Sequence, residues 1–182
     1  MTKVMLVGLL FLASACQPLP GTSDSPSATP GDTQTATPTP TAKTKHAQGV
    51  LVAIRTQKHG DHDSVEFEFG GAQPPPERHR YETEIRFDPS DQPVPLQGKA
   101  FLRVVFDGAA LDNLAYENDP AKQEKYSGPT RVAPGLPVVK ELAVAGNFEN
   151  VLSFGIGLDR QVRVTVENGG DPARVTVNLW YQ

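Results

Sequence analysis

The sequence predicts an all-β domain, a single antiparallel β-sandwich of about eight strands, preceded by two segments that do not belong to it. Three observations favour this class. Apolar and polar residues alternate with a period of two through most of residues 48–182, where β-branched and aromatic residues are frequent. Glycine, proline, asparagine and aspartate separate these runs, as in turns. No long stretch has the 3.6-residue period of an amphipathic helix.

Residues 1–15 have the features of a lipoprotein signal peptide. Lys3 precedes an apolar run over residues 4–12, which is shorter than the ~20 residues needed to span a bilayer. The sequence Leu-Ala-Ser-Ala-Cys at 12–16 resembles a lipobox, although leucine is more usual than alanine at Ala13. Cys16 is the only cysteine of the chain, and lipidation (palmitate among the acyl groups) would consume its thiol. Ordinary secretion with a free thiol is the alternative.

Residues 16–47 are rich in proline, serine and threonine and contain no aromatic residue. Such a composition cannot bury enough apolar surface to offset the entropy of ordering the chain. We therefore expect a disordered tether that favours the polyproline II conformation. Its Thr-Pro repeats would serve as a plain spacer or carry O-linked sugars.

The predicted strands follow in order after the tether. The strand over residues 100–106 is apolar on both faces apart from Arg103, which indicates a central position. Residues 109–114 would form one or two helical turns at most. The connection over residues 107–137 is unusually long, and such loops in compact domains are usually functional or disordered. The predicted strands cover residues 50–55, 64–69, 81–87, 100–106, 138–144, 151–158, 162–167 and 175–181.

The charge of the folded part argues against two classes of partner. The formal net charge is -4, and residues 1–48 carry three lysines and two aspartates, or +1, so the remainder carries -5. A surface that binds nucleic acid or anionic lipid needs a basic patch. We therefore expect neither partner for the folded domain.

Two groups of polar residues resemble chemical sites. Residues 59–63, His-Gly-Asp-His-Asp, contain several metal-ligand types, but turn chemistry explains them and we expect no metal. The pairs Glu66/Glu68 and Glu82/Glu84 resemble catalytic carboxylates, yet a spacing of two places each pair on the solvated face of a strand. The motifs of serine hydrolases, zinc proteases and P-loop proteins are absent. We expect no enzymatic activity and no cofactor.

Trp180 is the main candidate for ligand binding. It alternates with Arg174, Thr176 and Asn178, which places it on the polar face of the last strand, where an indole can stack on sugar rings. A long loop covering this tryptophan is the alternative. Four further residues are candidates for contacts with a carboxylate-bearing peptide or glycan. These residues are Arg78, Arg80, Tyr126 and Arg131.

Several blocks of the domain resemble a known family, the AMIN-like domain of actinobacterial envelope lipoproteins. The blocks are Val-Pro-Leu-Gln-Gly-Lys-Ala-Phe-Leu at 94–102, Tyr-Ser-Gly-Pro at 126–129, Ala-Pro-Gly-Leu-Pro at 133–137, Gly-Asn-Phe-Glu at 146–149 and Leu-Ser-Phe-Gly-Ile-Gly-Leu-Asp at 152–159. The resemblance covers about residues 48–182. It implies a β-sandwich akin to AMIN domains, which target cell-wall enzymes and secretion-pore proteins to peptidoglycan. It supplies no catalytic residues, and no amidase or secretin domain is expected in this chain.

The expected function is therefore that of a non-catalytic binding module. The module would be held at the extracytoplasmic face of the cell membrane through lipid on Cys16 and would associate with peptidoglycan or another wall polymer. The alternative is an envelope scaffold that docks another protein, by way of an exposed strand edge.

Overall fold

The computed structural model of the protein describes residues 49–182. The predicted signal peptide, Cys16 and the predicted tether lie outside these residues. None of the helical segments in residues 49–182 has the length and apolar character needed to cross a membrane.

The described part of the chain is all-β, as predicted. Its one helical segment is the short 3-10 turn Pro120–Lys122 in the long connection. Its strands are β1 (Gly49–Lys58), β2 (His62–Phe69), β3 (Glu77–Glu82), β4 (Arg86–Phe87), β5 (Gln92–Pro93), β6 (Ala100–Asp107), β7 (Ala109–Ala110), β8 (Arg131–Val132), β9 (Val139–Phe148), β10 (Val151–Leu158), β11 (Val164–Gly169) and β12 (Ala173–Trp180).

The strands form two five-stranded sheets and a two-stranded ribbon. The first sheet has the order β11-β12-β2-β1-β7 and the second has the order β3-β6-β10-β9-β8. The ribbon is β4-β5. The pairings between these strands are all antiparallel except that of β1 with β7, where Gly49 and Val50 pair with Ala109 and Ala110 in parallel. The beginning of the described chain is therefore tied to the middle of the sequence.

Apolar side chains of both sheets share one core. Phe67 and Phe69 of β2 pack against Phe106 of β6, with ring centroids 4.9 and 5.0 Å apart, and Phe67 lies 4.8 Å from Phe154 of β10. All four rings are buried. Burying a side chain of this size contributes roughly 1.5–3 kcal/mol. The period of two in each strand thus provides one apolar face per sheet, and the two faces meet.

A smaller apolar cluster covers the outer face of the second sheet. Ile85 and Val94, from the segment around the ribbon, pack there on Ala143 and Ala145 of β9. The neighbouring strand β10 has Gly155 at this point, where a Cβ atom would lie 2.7 Å from Ile85 Cγ2. The small residues of β9 and β10 therefore let this segment approach the sheet closely.

Two local predictions are wrong. The strand predicted over residues 81–87 is instead β3, which begins earlier and ends at Glu82. It ends there because Ile85 is buried in the outer apolar cluster and not in the shared core. Phe87, the last residue of that predicted strand, lies in the ribbon and is 40% exposed. The predicted helical turns over residues 109–114 are also absent, because Ala109 and Ala110 are buried as β7 beside β1.

Candidate functional site

A groove of about 380 Å³ lies on the outer face of the first sheet. Its lining comes from four neighbouring strands, β11, β12, β2 and β1, and from the turn after β1. Alternation selects these side chains, because every second residue of each strand points away from the core. The lining residues are Arg55, Gln57, His59, His62, Ser64, Glu66, Glu167, Thr176, Asn178 and Trp180.

One end of the groove carries a row of stacked side chains, called here the ring stack: His59, His62, Trp180 and Arg163. The rings of His59 and His62 are nearly parallel, 10° apart, with centroids at 4.3 Å. The His62 ring lies 4.6 Å from that of Trp180. The guanidinium carbon of Arg163 lies 4.5 Å from the Trp180 centroid, a cation–π distance.

Strand register explains the order of the ring stack. His62 of β2 pairs directly with Trp180 of β12, and the backbone N–H of Trp180 donates to the carbonyl of Arg163 at 3.0 Å. Trp180 therefore stands on the polar face, as predicted, between side chains of its two neighbouring strands. These contacts, and not the long connection over residues 107–137, enclose the indole.

Hydrogen bonds hold the rings of the stack in place. The indole Nε1 of Trp180 donates to the hydroxyl of Thr165 at 3.0 Å. The His59 Nε2 lies 3.0 Å from the hydroxyl of Ser64. Because both partners belong to the same sheet as the rings, the stack presents a pre-ordered surface to a ligand.

The turn before β2 adds a polar contact to the stack. The Nδ1 of His62 lies 2.8 Å from a carboxylate oxygen of Asp61, and this hydrogen bond holds the pKa of Asp61 below its ordinary value. The carboxylate thus fixes the orientation of the imidazole that contacts Trp180.

The carboxylates of the groove have partners within the protein, one arginine and one amide. Arg55 binds Glu66 at 2.9 Å and Glu68 at 2.6 Å, and these two carboxylates, Glu68 before Glu66, raise the pKa of the arginine. The side-chain amide of Asn178 donates to Glu167 at 3.0 Å. The groove therefore offers amide, hydroxyl and imidazole groups beside carboxylates that outnumber the one arginine of its lining, an arrangement suited to a polar ligand that is not strongly anionic.

Residues 59–63 do not act as one cluster. The histidines face the groove, whereas Asp63 is fully buried on the opposite face of β2. Its carboxylate accepts the backbone N–H groups of Val138 and Val139 at 2.7 and 3.0 Å and the hydroxyl of Tyr181 at 2.7 Å. Within residues 49–182, no group of three or more potential ligands is placed to hold a metal ion.

Arg78 and Arg80 belong to the other sheet. They project from the outer face of β3, where Arg78 binds Asp107 at 2.9 Å and Arg80 binds Glu82 at 2.6 Å. The structure does not bring them together with Trp180, because β3 and β12 lie in different sheets. These arginines therefore form a separate surface.

Beneath them lies a buried arginine that the sequence indicated only as an exception in an apolar strand. Arg103 of β6 is 5% exposed. Its guanidinium donates to both oxygens of Glu82 at 3.1 Å, to Asp88 at 3.0 Å and to Ser153 at 3.3 Å. A single polar residue in an apolar strand was the available indication of this network, which joins β3, β6, β10 and the ribbon.

Tyr126, a candidate for ligand contacts from the sequence, is buried, with 8% of its surface accessible. Its hydroxyl donates to the carbonyl of Pro129 at 3.1 Å, and burial raises its pKa. The long connection folds back on the domain at this point, so the tyrosine is a packing residue with no open face for a ligand.

Arg131 lies at the edge of the second sheet, away from the groove. It binds Glu141 at 2.5 Å and the carbonyl of Pro95 at 2.9 Å. Burial would raise the pKa of Glu141, but the hydrogen bonds from Arg131 and from the backbone N–H of Gln97 lower it overall. This arginine therefore fastens β8 to β9 and to the segment after the ribbon.

Comparisons with known proteins identify the domain. No curated protein matches the chain, and no solved structure does. The family model of the AMIN-like domain matches residues 49–180, a span that begins with β1 and ends with β12. The resemblance inferred from the sequence blocks is thereby confirmed for the domain. The chain belongs to the AMIN-like domain family.

Proposed function

We propose that this protein is a lipid-anchored cell-envelope binding module that associates with peptidoglycan or another wall polymer and has no catalytic activity of its own. Membership of the family supports the proposal, because AMIN-like domains are associated with binding to peptidoglycan or the envelope. The observation that carries it is the ring stack at one end of the polar groove.

The groove matches the surface chemistry of a glycan. Sugar rings combine apolar C–H faces, which pack on aromatic rings, with hydroxyl and amide groups, which need hydrogen-bond partners. The outward edges of the stacked rings provide the first kind of contact, since His62 and Arg163 cover the faces of the indole, and Gln57 and Thr176 provide the second. The groove lies on the face of a sheet, so a polymer can cross it without having to end there.

The carboxylates of the groove support a binding role over catalysis. A general acid or base needs a group that is free to exchange protons with the substrate. Glu66 and Glu68 both bind Arg55, and Glu167 accepts a hydrogen bond from Asn178. These contacts keep the carboxylates in fixed ionic or hydrogen-bonded pairs.

In the proposed arrangement, residues 1–15 are removed as a signal peptide, Cys16 carries the lipid, and residues 16–47 connect it to one β-sandwich made of the two sheets. The shared aromatic core supports the sandwich, and the lipobox-like sequence supports the anchor. Fractionation of cells that express the chain tests the anchor. The protein should appear at the extracytoplasmic face of the membrane, and Cys16→Ser should release it.

Sedimentation with purified peptidoglycan stripped of all proteins tests the binding role. Wild-type protein should sediment with the polymer, and Trp180→Ala should bind about tenfold more weakly, or about 1.4 kcal/mol. Tyr116→Ala is the matched control, since this tyrosine is 66% exposed and lies outside the groove. Equal binding of both variants, or no sedimentation of the wild type, would contradict the proposal.

Two further measurements separate a specific groove from general adhesion. Because the expected contacts are ring packing and hydrogen bonds to neutral groups, binding should change little between about 0.05 and 0.5 M salt, which screens exposed charges. Gln57→Ala should weaken binding without loss of stability, because this side chain is exposed. Binding that disappears at high salt, with Gln57→Ala behaving as wild type, would indicate non-specific ionic adsorption.

A scaffold function remains the second candidate, and the edge position of β3 favours it. A protein that fails to bind stripped peptidoglycan but sediments with envelope that retains its proteins would support the scaffold. The same result would exclude the glycan groove as the main binding site.

A further inference from the structure

Strand β3 ends the second sheet with one side uncovered. It pairs with β6 over six positions, from Glu77 opposite Phe106 to Glu82 opposite Phe101. Its other side faces no strand of residues 49–182. Open edges can pair with another extended chain and are usually protected.

The hydrogen-bonding pattern between β3 and β6 shows which backbone N–H and C=O groups of β3 are free to pair with another strand. The N–H of Asp107 donates to the carbonyl of Pro76 at 3.0 Å, so these two residues form a hydrogen-bonded pair. In an antiparallel ladder such pairs alternate with pairs that do not exchange hydrogen bonds. Even-numbered residues of β3 therefore bond to β6, and the backbone groups of odd-numbered residues point to the open side. The open positions are Glu77, His79 and Tyr81.

The side chains of the same edge limit what can pair with it. Arg78, Arg80 and Glu82 project on one face, in the order plus, plus, minus. Such charges disfavour pairing with most strands, but they favour a strand whose charges follow the complementary order. The edge is thus selective.

The sequence of β3 is complementary to itself in one register. With two copies antiparallel and Arg80 at the twofold axis, Arg78 of each copy faces Glu82 of the other. In this register His79 faces Tyr81, and the backbone groups of both residues point to the open side. The register that pairs the opposite charges is therefore also one in which the two strands can form hydrogen bonds. Opposite charges placed across strands stabilise a pair. The two Arg80 side chains meet, and each binds Glu82 of its own chain at 2.6 Å, so Glu82 would be shared among Arg80, the buried Arg103 and Arg78 of the other copy.

The edge strand of the first sheet lacks this property. The hydrogen bond from Trp180 N–H to Arg163 carbonyl sets the phase of β11 and leaves Val164 and Val166 open. Its outward side chains are Thr165 and Glu167, and the nearest cation on that face, Arg163, lies just before the strand with its guanidinium over the Trp180 ring. Self-pairing of β11 would therefore gain a charge pair with Glu167 only by taking Arg163 away from Trp180.

We propose that two copies of this chain associate through β3, antiparallel about Arg80, and join their second sheets into one continuous sheet. The occupant of the edge is a second copy of the chain. A six-residue edge buries little area, so the dimer is weak in solution, with a dissociation constant on the order of micromolar or higher. The association is independent of the glycan groove, which lies on the other sheet.

Disulfide trapping tests the register. The full chain with Cys16→Ser has no other cysteine, and Arg80→Cys in this background should form a disulfide-linked dimer under mild oxidation. Residues facing each other in pairs without hydrogen bonds have Cα atoms ~4.5 Å apart, within disulfide range. Lys58→Cys, an exposed position of the other sheet, is the control and should stay monomeric. Equal cross-linking of the two variants, or none with Arg80→Cys, would overturn the proposal.

Edge variants test the pairing without a cross-link, by sedimentation equilibrium at increasing protein concentration. His79→Pro removes an outward N–H but leaves the bonds to β6 intact, so it should abolish the dimer. His79→Ala keeps the N–H and should retain it. Arg78→Glu should weaken association at least tenfold, whereas Arg78→Lys should not.

Other results would overturn the dimer and identify a different occupant. A dimer that survives His79→Pro uses another surface. A monomer whose β3 amides resist hydrogen exchange, and lose that protection when residues 17–47 are deleted, has its edge covered by its own chain. A monomer that pairs through β3 only with another envelope protein is a scaffold.

Discussion

The hydroxyl of Tyr181 donates a 2.7 Å hydrogen bond to the buried carboxylate of Asp63, on the strand beside it. The second oxygen of that carboxylate accepts the N–H groups of Val138 and Val139, where β9 begins. One acidic side chain thus connects β2 of the first sheet, the entry to the second sheet and the last residues of the chain. These contacts lie directly behind the ring stack.

Asp63→Ala should lower the free energy of unfolding by about 3 kcal/mol or more. The substitution leaves two buried N–H groups without an acceptor, and each unsatisfied group costs about 1–3 kcal/mol. Asp61→Ala, two residues away and exposed, should change stability by less than about 0.5 kcal/mol. Urea unfolding of the two variants and the wild type measures both changes. Similar losses for the two aspartates would contradict the assigned role of Asp63.

The hydrogen bond of Tyr181 should make the free energy of unfolding of the domain depend on pH in the alkaline range. Burial, followed by the nearby Asp63 carboxylate, raises the pKa of Tyr181 to about 12. Because the folded pKa lies above the unfolded value of about 10, the contribution is complete below pH ~10 and is lost as the pH rises through ~12. The stability difference between wild type and Tyr181→Phe, measured by urea unfolding at several pH values, should therefore shrink over that interval. A constant difference would contradict the prediction.

Arg103→Met should destabilise the domain by about 1–3 kcal/mol, since the substitution removes a buried guanidinium that contacts three side chains, while Glu82 keeps its ion pair with Arg80 and Asp88 is 60% exposed. Asp88 and Ser153 would each lose the guanidinium as a donor, and the Ser153 hydroxyl would remain within 3.4 Å of Asp88. The comparison is Arg78→Met, which breaks an exposed pair with Asp107 and should cost less than about 1 kcal/mol. Thermal and urea unfolding test the ranking. It fails if the two variants are equally stable.

Gly157→Ala should lower stability by about 2–3 kcal/mol, because the added Cβ meets the backbone carbonyl of Gln97, which has no side-chain freedom to yield. Gly60→Ala is the control, because a Cβ there would have no atom within 4 Å. Unfolding curves should show a large shift for the first variant and little for the second. A tolerated alanine at Gly157 would mean that the segment after the ribbon does not lie tightly on β10.

Local sequence patterns predicted much of this fold and rather less of its surface. The strands around Phe67, Phe106 and Phe154 follow from alternation, which needs no knowledge of neighbours. The position of Ile85 does not, because an apolar residue in an alternating run can be buried on either face of a sheet. The burial of Tyr126 could not be predicted either, because a long connection without periodicity does not indicate where the chain folds back on the domain.

The candidate site shows the same division. Alternation with Asn178 placed Trp180 on the polar face of its strand. Its contacts with His62 and Arg163 depend on the strand order β2-β12-β11, which joins segments more than 100 residues apart in sequence. That order arises from the packing of the whole domain, so no local pattern contains it.

The position of the groove along β1 has a mechanical consequence. A pull through the preceding chain enters at Gly49, the first residue of β1, while Arg55 and Gln57, near the other end of the same strand, line the groove. Tension between Gly49 and the groove runs lengthwise along β1, over roughly 20–30 Å at about 3.4 Å per residue. The hydrogen bonds to β2 lie across that direction, so they share the load in shear and do not open one at a time. A ligand in the proposed groove would therefore be held against tension by a strand that is loaded in shear.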